Sequence, residues 1–222
     1  MLKAKLIIIL ILLGAGILKA QSIFEPNYAL KNPMTLEIIN IETKDDVTLL
    51  NISIENQAEG GYYCIEPETY LITDQGEKLR LISLSGLPQC PDVYKFKRVG
   101  EIKYVTMQFP SIKKGTSWVD IIEDCDDNCF SIYGLSLDYS LNAKINICFR
   151  DIEYGRIQEA ITKFEELRIE LKDSENPILG SIYLNLISLY EETGDTRKSA
   201  ELRTELRALI IPHKEKFIIL LK

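Results

Sequence analysis

Near Asp138 the spacing of oily side chains changes, and that change limits the chain to architectures with two kinds of element. Before it the period is two. In "VTLLNISIEN" (47–56), Leu50, Ile52 and Ile54 fall on one face and Asn51, Ser53 and Glu55 on the other, as in a strand buried on one side only. The runs 35–42, 69–74, 78–84, 101–109, 117–124 and 129–137 repeat the pattern. Turns such as "AEGGY", "DQGEK", "GLPQCPD", "RVGE" and "KKGT" separate them, carrying the Gly, Pro and Asp that tight bends need. Short strands at this interval predict an antiparallel β-sandwich of immunoglobulin (Ig-like) type over 34–138.

After Asp138 the period is helical. Ile145, Cys148 and Ile152 share one face and lead to Gly155, a helix stop. "RIQEAITKFEELRIEL" follows with Ile157, Ala160, Ile161, Phe164, Leu167 and Leu171 on one stripe. Asn176 is the expected cap, and Pro177 the first residue, of a third helix that stops at Gly194. A fourth, "TRKSAELRTELRALI", breaks at Pro212. The uninterrupted apolar run Phe217–Leu221 is read as a capping helix, with self-association as its other use.

Residues 1–20 read as a secretory signal: basic "MLKAK", apolar Leu6 to Leu18, then "LKAQS" with cleavage after Ala20 or Ser22. The apolar stretch makes roughly 20 Å of helix against the about 30 Å of a bilayer core, so no permanent membrane span is expected. Residues 21–33 are then a linker, and the chain is exported, periplasmic or secreted. Removing Lys3, Lys5 and Lys19 leaves 33 acidic against 23 basic residues, and the excess sits in residues 21–138, with 19 acidic against 10 basic. Such a surface repels phosphate backbones and anionic bilayers, which argues against nucleic acid as a partner. Export makes the cysteines readable as disulfides. Of the three pairings open to four cysteines, Cys125–Cys129 across a turn with Cys64–Cys90 is favoured; Cys148 is left over in a helix.

Two resemblances sharpen this outline. "ETYLITDQGEKLRLISLSGLP" and "FPSIKKGTSWVDIIEDCDDNCFSIYGLSL" are similar to a small Ig-like domain of exported bacterial proteins, at Tyr70, Leu71, Gly76, Lys78, Gly86, Pro88, Ile132, Tyr133 and Gly134. "GRIQEAITKF" and "YEETGDTRKSAEL" resemble tetratricopeptide (TPR) repeats. Cys148, Gly155, Ala160 and Phe164 match in the first block; Tyr190, Gly194 and Ser199 or its neighbour Ala200 match in the second. Asp151, Ile187 and Arg203 depart from the pattern, and the two glycines lie 39 apart instead of the usual 34. Together the resemblances imply two domains, all-β plus all-α: an Ig-like antiparallel β-sandwich over 34–138, then a TPR-like α-hairpin repeat over 139–222. In such a repeat, small residues let helices approach closely and leave a concave face for a peptide.

Groups for catalysis are few. His213 is the only histidine, with no serine or cysteine motif around it, and no HExxH helix or phosphate-cradling glycine loop occurs. Asp124, Asp126 and Asn128 open like a calcium loop, but Cys129 stands where glycine is needed and Leu135 where the last acid is needed, which excludes an EF-hand. A weaker metal site there, and a glycan contact at Tyr62 and Tyr63, are the remaining ligand readings; Glu66 and Glu68 read as solvent-facing strand residues and Trp118 as core. The expected function is a non-enzymatic, cofactor-free scaffold binding a protein or peptide partner. A structural module of a cell-envelope assembly and a calcium- or glycan-binding sandwich are the alternatives.

Overall fold

In β4 (Val47–Glu55) the alternation of "VTLLNISIE" puts every second side chain into the core, Leu50 and Ile52 with no exposed surface at all. The computed structural model describes residues 21–126 and 129–221. Preceding β4 are β1 (Gln21–Phe24), β2 (Leu30–Asn32) and β3 (Leu36–Thr43). After it come β5 (Tyr62–Tyr63), β6 (Thr69–Thr73), β7 (Lys78–Arg80), β8 (Ser83–Ser85) and β9 (Tyr94–Lys95). The last strands are β10 (Ile102–Pro110), β11 (Trp118–Glu123) and β12 (Ser131–Ser136). Two five-stranded antiparallel sheets, β1-β3-β4-β10-β8 and β2-β12-β11-β6-β7, bury a shared core that includes Leu36, Leu50, Leu71, Phe109 and Phe130. A third, two-stranded sheet pairs β5 with β9.

Five helices follow: α1 (Tyr139–Glu153), α2 (Ile157–Leu171), α3 (Ile178–Glu192), α4 (Thr196–Ala208) and α5 (Lys214–Ile219). Asp138 caps α1 through Leu141 N–H at 3.0 Å, and Asp195 caps α4 through Lys198 N–H at 3.0 Å. Asn176 accepts the Ile178 N–H ahead of α3 as expected, although the helix starts one residue after Pro177. The fourth helix ends at Ala208, short of Pro212.

The expected fold, a seven-stranded Ig-like sandwich followed by a TPR-like repeat, is corrected on four counts among the described residues. The elements are mostly β, with twelve strands in three antiparallel sheets ahead of the helices. Residues 21–33, read as a linker, contain β1 at the edge of one sheet and β2 at the edge of the other. These strands are too short and too close to Pro26 and Pro33 to display a period. The run 78–84, read as one strand, is two: Leu81 N–H bonds Thr69 O of the β6 side, and Ile82 N–H bonds Gln108 of β10 in the opposite sheet. Alternation of side chains does not record which sheet a strand joins. Finally, Ala29 is buried in the helical core, so a piece of the β half belongs to the α layer.

Within the helical layer the small residues divide the work differently from the sequence reading. Gly155 and Gly194 sit at positive φ (70° and 82°) with open space where a Cβ would go, so they make left-handed turns and do not seat one helix on another. Close approach occurs at Gly180 instead, where a Cβ would lie 2.6 Å from the Phe217 ring. Phe217 and Leu221 are buried in the helical core, while Ile219 and Leu220 of the same run are exposed.

Candidate binding cleft at the helix–sheet seam

Asn142, in the first turn of α1, is 4% exposed and has all its polar capacity directed at the seam between the layers. Its Nδ2 donates to Ser136 O (3.0 Å) and Asp138 O (2.9 Å). Its Oδ1 accepts the backbone N–H of Asn27 at 2.7 Å and the Asn27 side-chain amide at 3.1 Å. Asn27 in turn donates to Asn146 Oδ1 at 2.9 Å, and Ala29 N–H bonds Tyr133 O at 2.9 Å. A short stretch of chain is thus held by an asparagine on a helix on one side and by strand backbone on the other.

Beside this stretch lies a cleft of about 230 Å³. Ile145, Phe149, Phe164, Ile178 and Ile182 form its apolar walls, with the Phe149 and Phe164 rings edge to face at 5.6 Å. Ser181 and Asn185 supply the polar rim; Asn185 spends one amide N–H on Ser181 O at 2.8 Å. No charged residue lines the cleft among the described residues. Its volume falls below the about 300–1,000 Å³ of small-molecule sites. Neutral amides over an apolar floor suit a short piece of polypeptide, which offers N–H and C=O groups and a side chain or two.

The seam closes around Gly134, where β12 bulges against β11. Gly134 has φ 60°, and a Cβ there would meet Pro177 Cγ at 2.4 Å and Ala29 Cβ at 3.0 Å, so only glycine allows sheet and helix this close. Asp120, 4% exposed, accepts Gly134 N–H at 2.7 Å, and its other oxygen lies 2.8 Å from His213 Nε2. The imidazole packs on Tyr133 at 4.5 Å, and Lys216 sits over the other partner of that contact, the Tyr133 ring, at 4.6 Å. The lone histidine therefore ties the start of α5 to the sheet. With Asp120 occupied on both oxygens, the pair orients structure, and no hydroxyl or thiol bonds the imidazole among the described residues.

The other residues singled out from sequence distribute as follows. Cys64–Cys90 and Cys125–Cys129 are bonded. Cys148 is a buried free thiol, pushed up to about 11 chiefly by burial, which makes it a poor nucleophile near neutral pH. Ala160 and Phe164 are buried on α2, as the small-residue and aromatic reading required. In the second hairpin Ser199 is buried, donating to Glu191 at 2.7 Å, while Ala200 is exposed. Tyr190 reaches across to Glu165 at 3.1 Å, and burial with that carboxylate raises its phenol to about 12. Asp151, the departure from the repeat pattern, is a buried carboxylate held by Arg156 (Nε at 2.8 Å) and Lys163, whose hydrogen bonds pull it below the ordinary range.

Asp124 and Asp126 flank Cys125 in the disulfide-closed turn, Asn128 lies outside the described residues, and no group of three or more metal-ligating side chains forms among the described residues. Tyr62 is exposed, but Tyr63 is half-buried with its phenol raised by burial, so the two do not form one aromatic face. Glu68 pairs with Arg80 at 3.0 Å on the surface. Glu123, which the sequence reading passed over, is 6% exposed and accepts the backbone N–H groups of Glu66 and Phe130, both at 2.8 Å. Burial raises its carboxyl. It stitches the Cys64 strand end to the Cys125–Cys129 turn.

The two disulfides fit an oxidising compartment, and no helix among the described residues is long and apolar enough to cross a membrane. The signal assigned to 1–20 lies outside the described residues. Comparison with protein-family models, with curated proteins and with solved structures finds no match to this chain.

Proposed function

We propose that this chain is a non-enzymatic, exported scaffold that holds an extended segment of a partner protein in the seam cleft. One observation carries the reading: Asn142 grips the backbone N–H of Asn27, so this helical face already holds an irregular piece of chain by its backbone, and the uncharged cleft continues beside it past Phe149, Ser181 and Asn185. The buried acids and the histidine are engaged in structural bonds, which supports a binding role over a catalytic one.

The test is affinity capture from the exported fraction with the wild-type protein and with Ser181→Arg, which fills the cleft from its rim. A partner retained by the wild type and lost with the variant is the expected outcome. Equal capture by both, or none, removes the cleft as the binding site. A second reading has its own support: residues 27–29 cover part of the helical face, as they would in a structural module whose helices only buttress the sandwich. Under that reading the partner survives Ser181→Arg.

A further inference from the structure

A larger cleft, about 650 Å³, opens at one end of the sandwich between β1–β3 and the loop joining β10 to β11. Its floor is aliphatic: Ile23, Ile41, Ile112 and Leu137, all but Ile112 already counted among the buried core. Its rim is basic. Lys44 comes from the β3–β4 turn, and Lys113 and Lys114 from the β10–β11 loop. These are three of the ten basic residues in a half that carries 19 acids, so their meeting at one mouth runs against the net charge of that half. Asp45 is the one acid lining the cleft among the described residues. Lys44 pairs with Glu42 at 3.2 Å and Lys113 with Glu77 at 3.1 Å, while Lys114 has no carboxylate among the described residues.

We infer that this cleft binds one monomeric amphiphile, an alkyl chain on the aliphatic floor with a single acidic head, of the fatty-acid type, among the three lysines. The volume is in the range of small-ligand sites, and burying methylenes against Ile23, Ile41 and Leu137 supplies the affinity. The lysines supply the sign selectivity. Partly exposed ion pairs such as Lys44–Glu42 and Lys113–Glu77 are weak, so either lysine can turn to a ligand head at little cost. A Lys ammonium serves as a point charge and asks no fork geometry of the head. An intact anionic bilayer is not the occupant, because the half that carries the cleft has 19 acids against ten bases and is repelled as a whole.

The experiment is calorimetric titration of the purified protein with dodecanoate below its micellar concentration, beside dodecyltrimethylammonium, which has the same tail and the opposite charge. Saturable one-to-one binding of dodecanoate, at least ~10-fold tighter than the cation, is expected, since an electrostatic difference of about 1.4 kcal/mol gives that ratio. Lys114→Glu, an exposed position, weakens dodecanoate ~5-fold or more, and Thr43→Trp, which fills the mouth from β3, abolishes binding. Ser181→Arg leaves it unchanged, which separates this site from the seam cleft. Absence of saturable binding, equal affinity for both head charges, or binding unaffected by Thr43→Trp overturns the proposal. So does sedimentation with anionic vesicles in place of monomer binding.

Discussion

The β half and the α half are held together by different means. In the β half, covalent bonds close loops: Cys64–Cys90 spans 26 residues and Cys125–Cys129 spans 4, and the buried Glu123 links the two regions. The α half contains no disulfide among the described residues and keeps its one cysteine as a buried thiol. It relies on packing, with Phe164, Leu186 and Phe217 essentially inaccessible, and on sharing Ala29 and the Gly134–Pro177 contact with the sheets. Two helical hairpins with a short fifth helix pack a core of their own that Ala29, from ahead of β2, completes. The difference teaches that the sandwich is the covered end of the helical layer, not a neighbour on a tether.

Substitutions can break that contrast at graded strength. Phe217→Ala removes a fully buried ring from the Gly180 notch and is expected to cost about 4 kcal/mol, read as a lower urea midpoint of the helical signal. Cys64→Ser with Cys90→Ser releases a 26-residue loop and is expected to cost about 3.5 kcal/mol by chain entropy, falling first on the β half. Asn142→Ala strands the Asn27 N–H and the Ser136 carbonyl at the seam, for about 2 kcal/mol, and faster hydrogen exchange at Asn27 would report it.

Acid sharpens the comparison with the smallest effect. Asp151 in the helical half has a lowered carboxyl, so its contribution is complete above the unfolded value of about 3.9 and is lost as pH falls through the folded one. Glu123 in the β half is raised, so the native state holds an extra proton above the unfolded value of about 4.3, and stability declines as pH rises through the folded value. Acidification therefore loosens the α1–α2 hairpin while relieving β11. On descending pH, amide protection factors, which allow for the intrinsic slowing of exchange in acid, should fall in α1–α2 before β11, and Asp151→Asn should flatten that difference.

What the sequence made legible was local. Helix stops at Gly155 and Gly194, the Asn176 hydrogen bond ahead of α3, the inward faces of β4 and β10 and the favoured cysteine pairs each follow from residues a few positions apart or from residue type. The seam was not legible, because Asp120 meets His213 across 93 positions and Asn27 meets Asn142 across 115. No periodicity records such a meeting. A partial signal existed at Gly134, a glycine inside an alternating strand, which marks a bulge or a close approach, and at Gly180, a glycine inside a helix. The switch of sheets between Leu81 and Ile82 left no trace in the alternation because both sheets share one core.

The claim on which the rest depends is that sheets and helices form one cooperative body, closed at Gly134 and Asn142. Trp118, the only tryptophan, is buried in β11 and reports the sandwich, while far-ultraviolet ellipticity is dominated by α1–α4. Urea unfolding followed by both signals on one sample is expected to give a single transition with coincident midpoints. A helical transition at clearly lower urea than the Trp118 transition would show two independent parts and contradict the account.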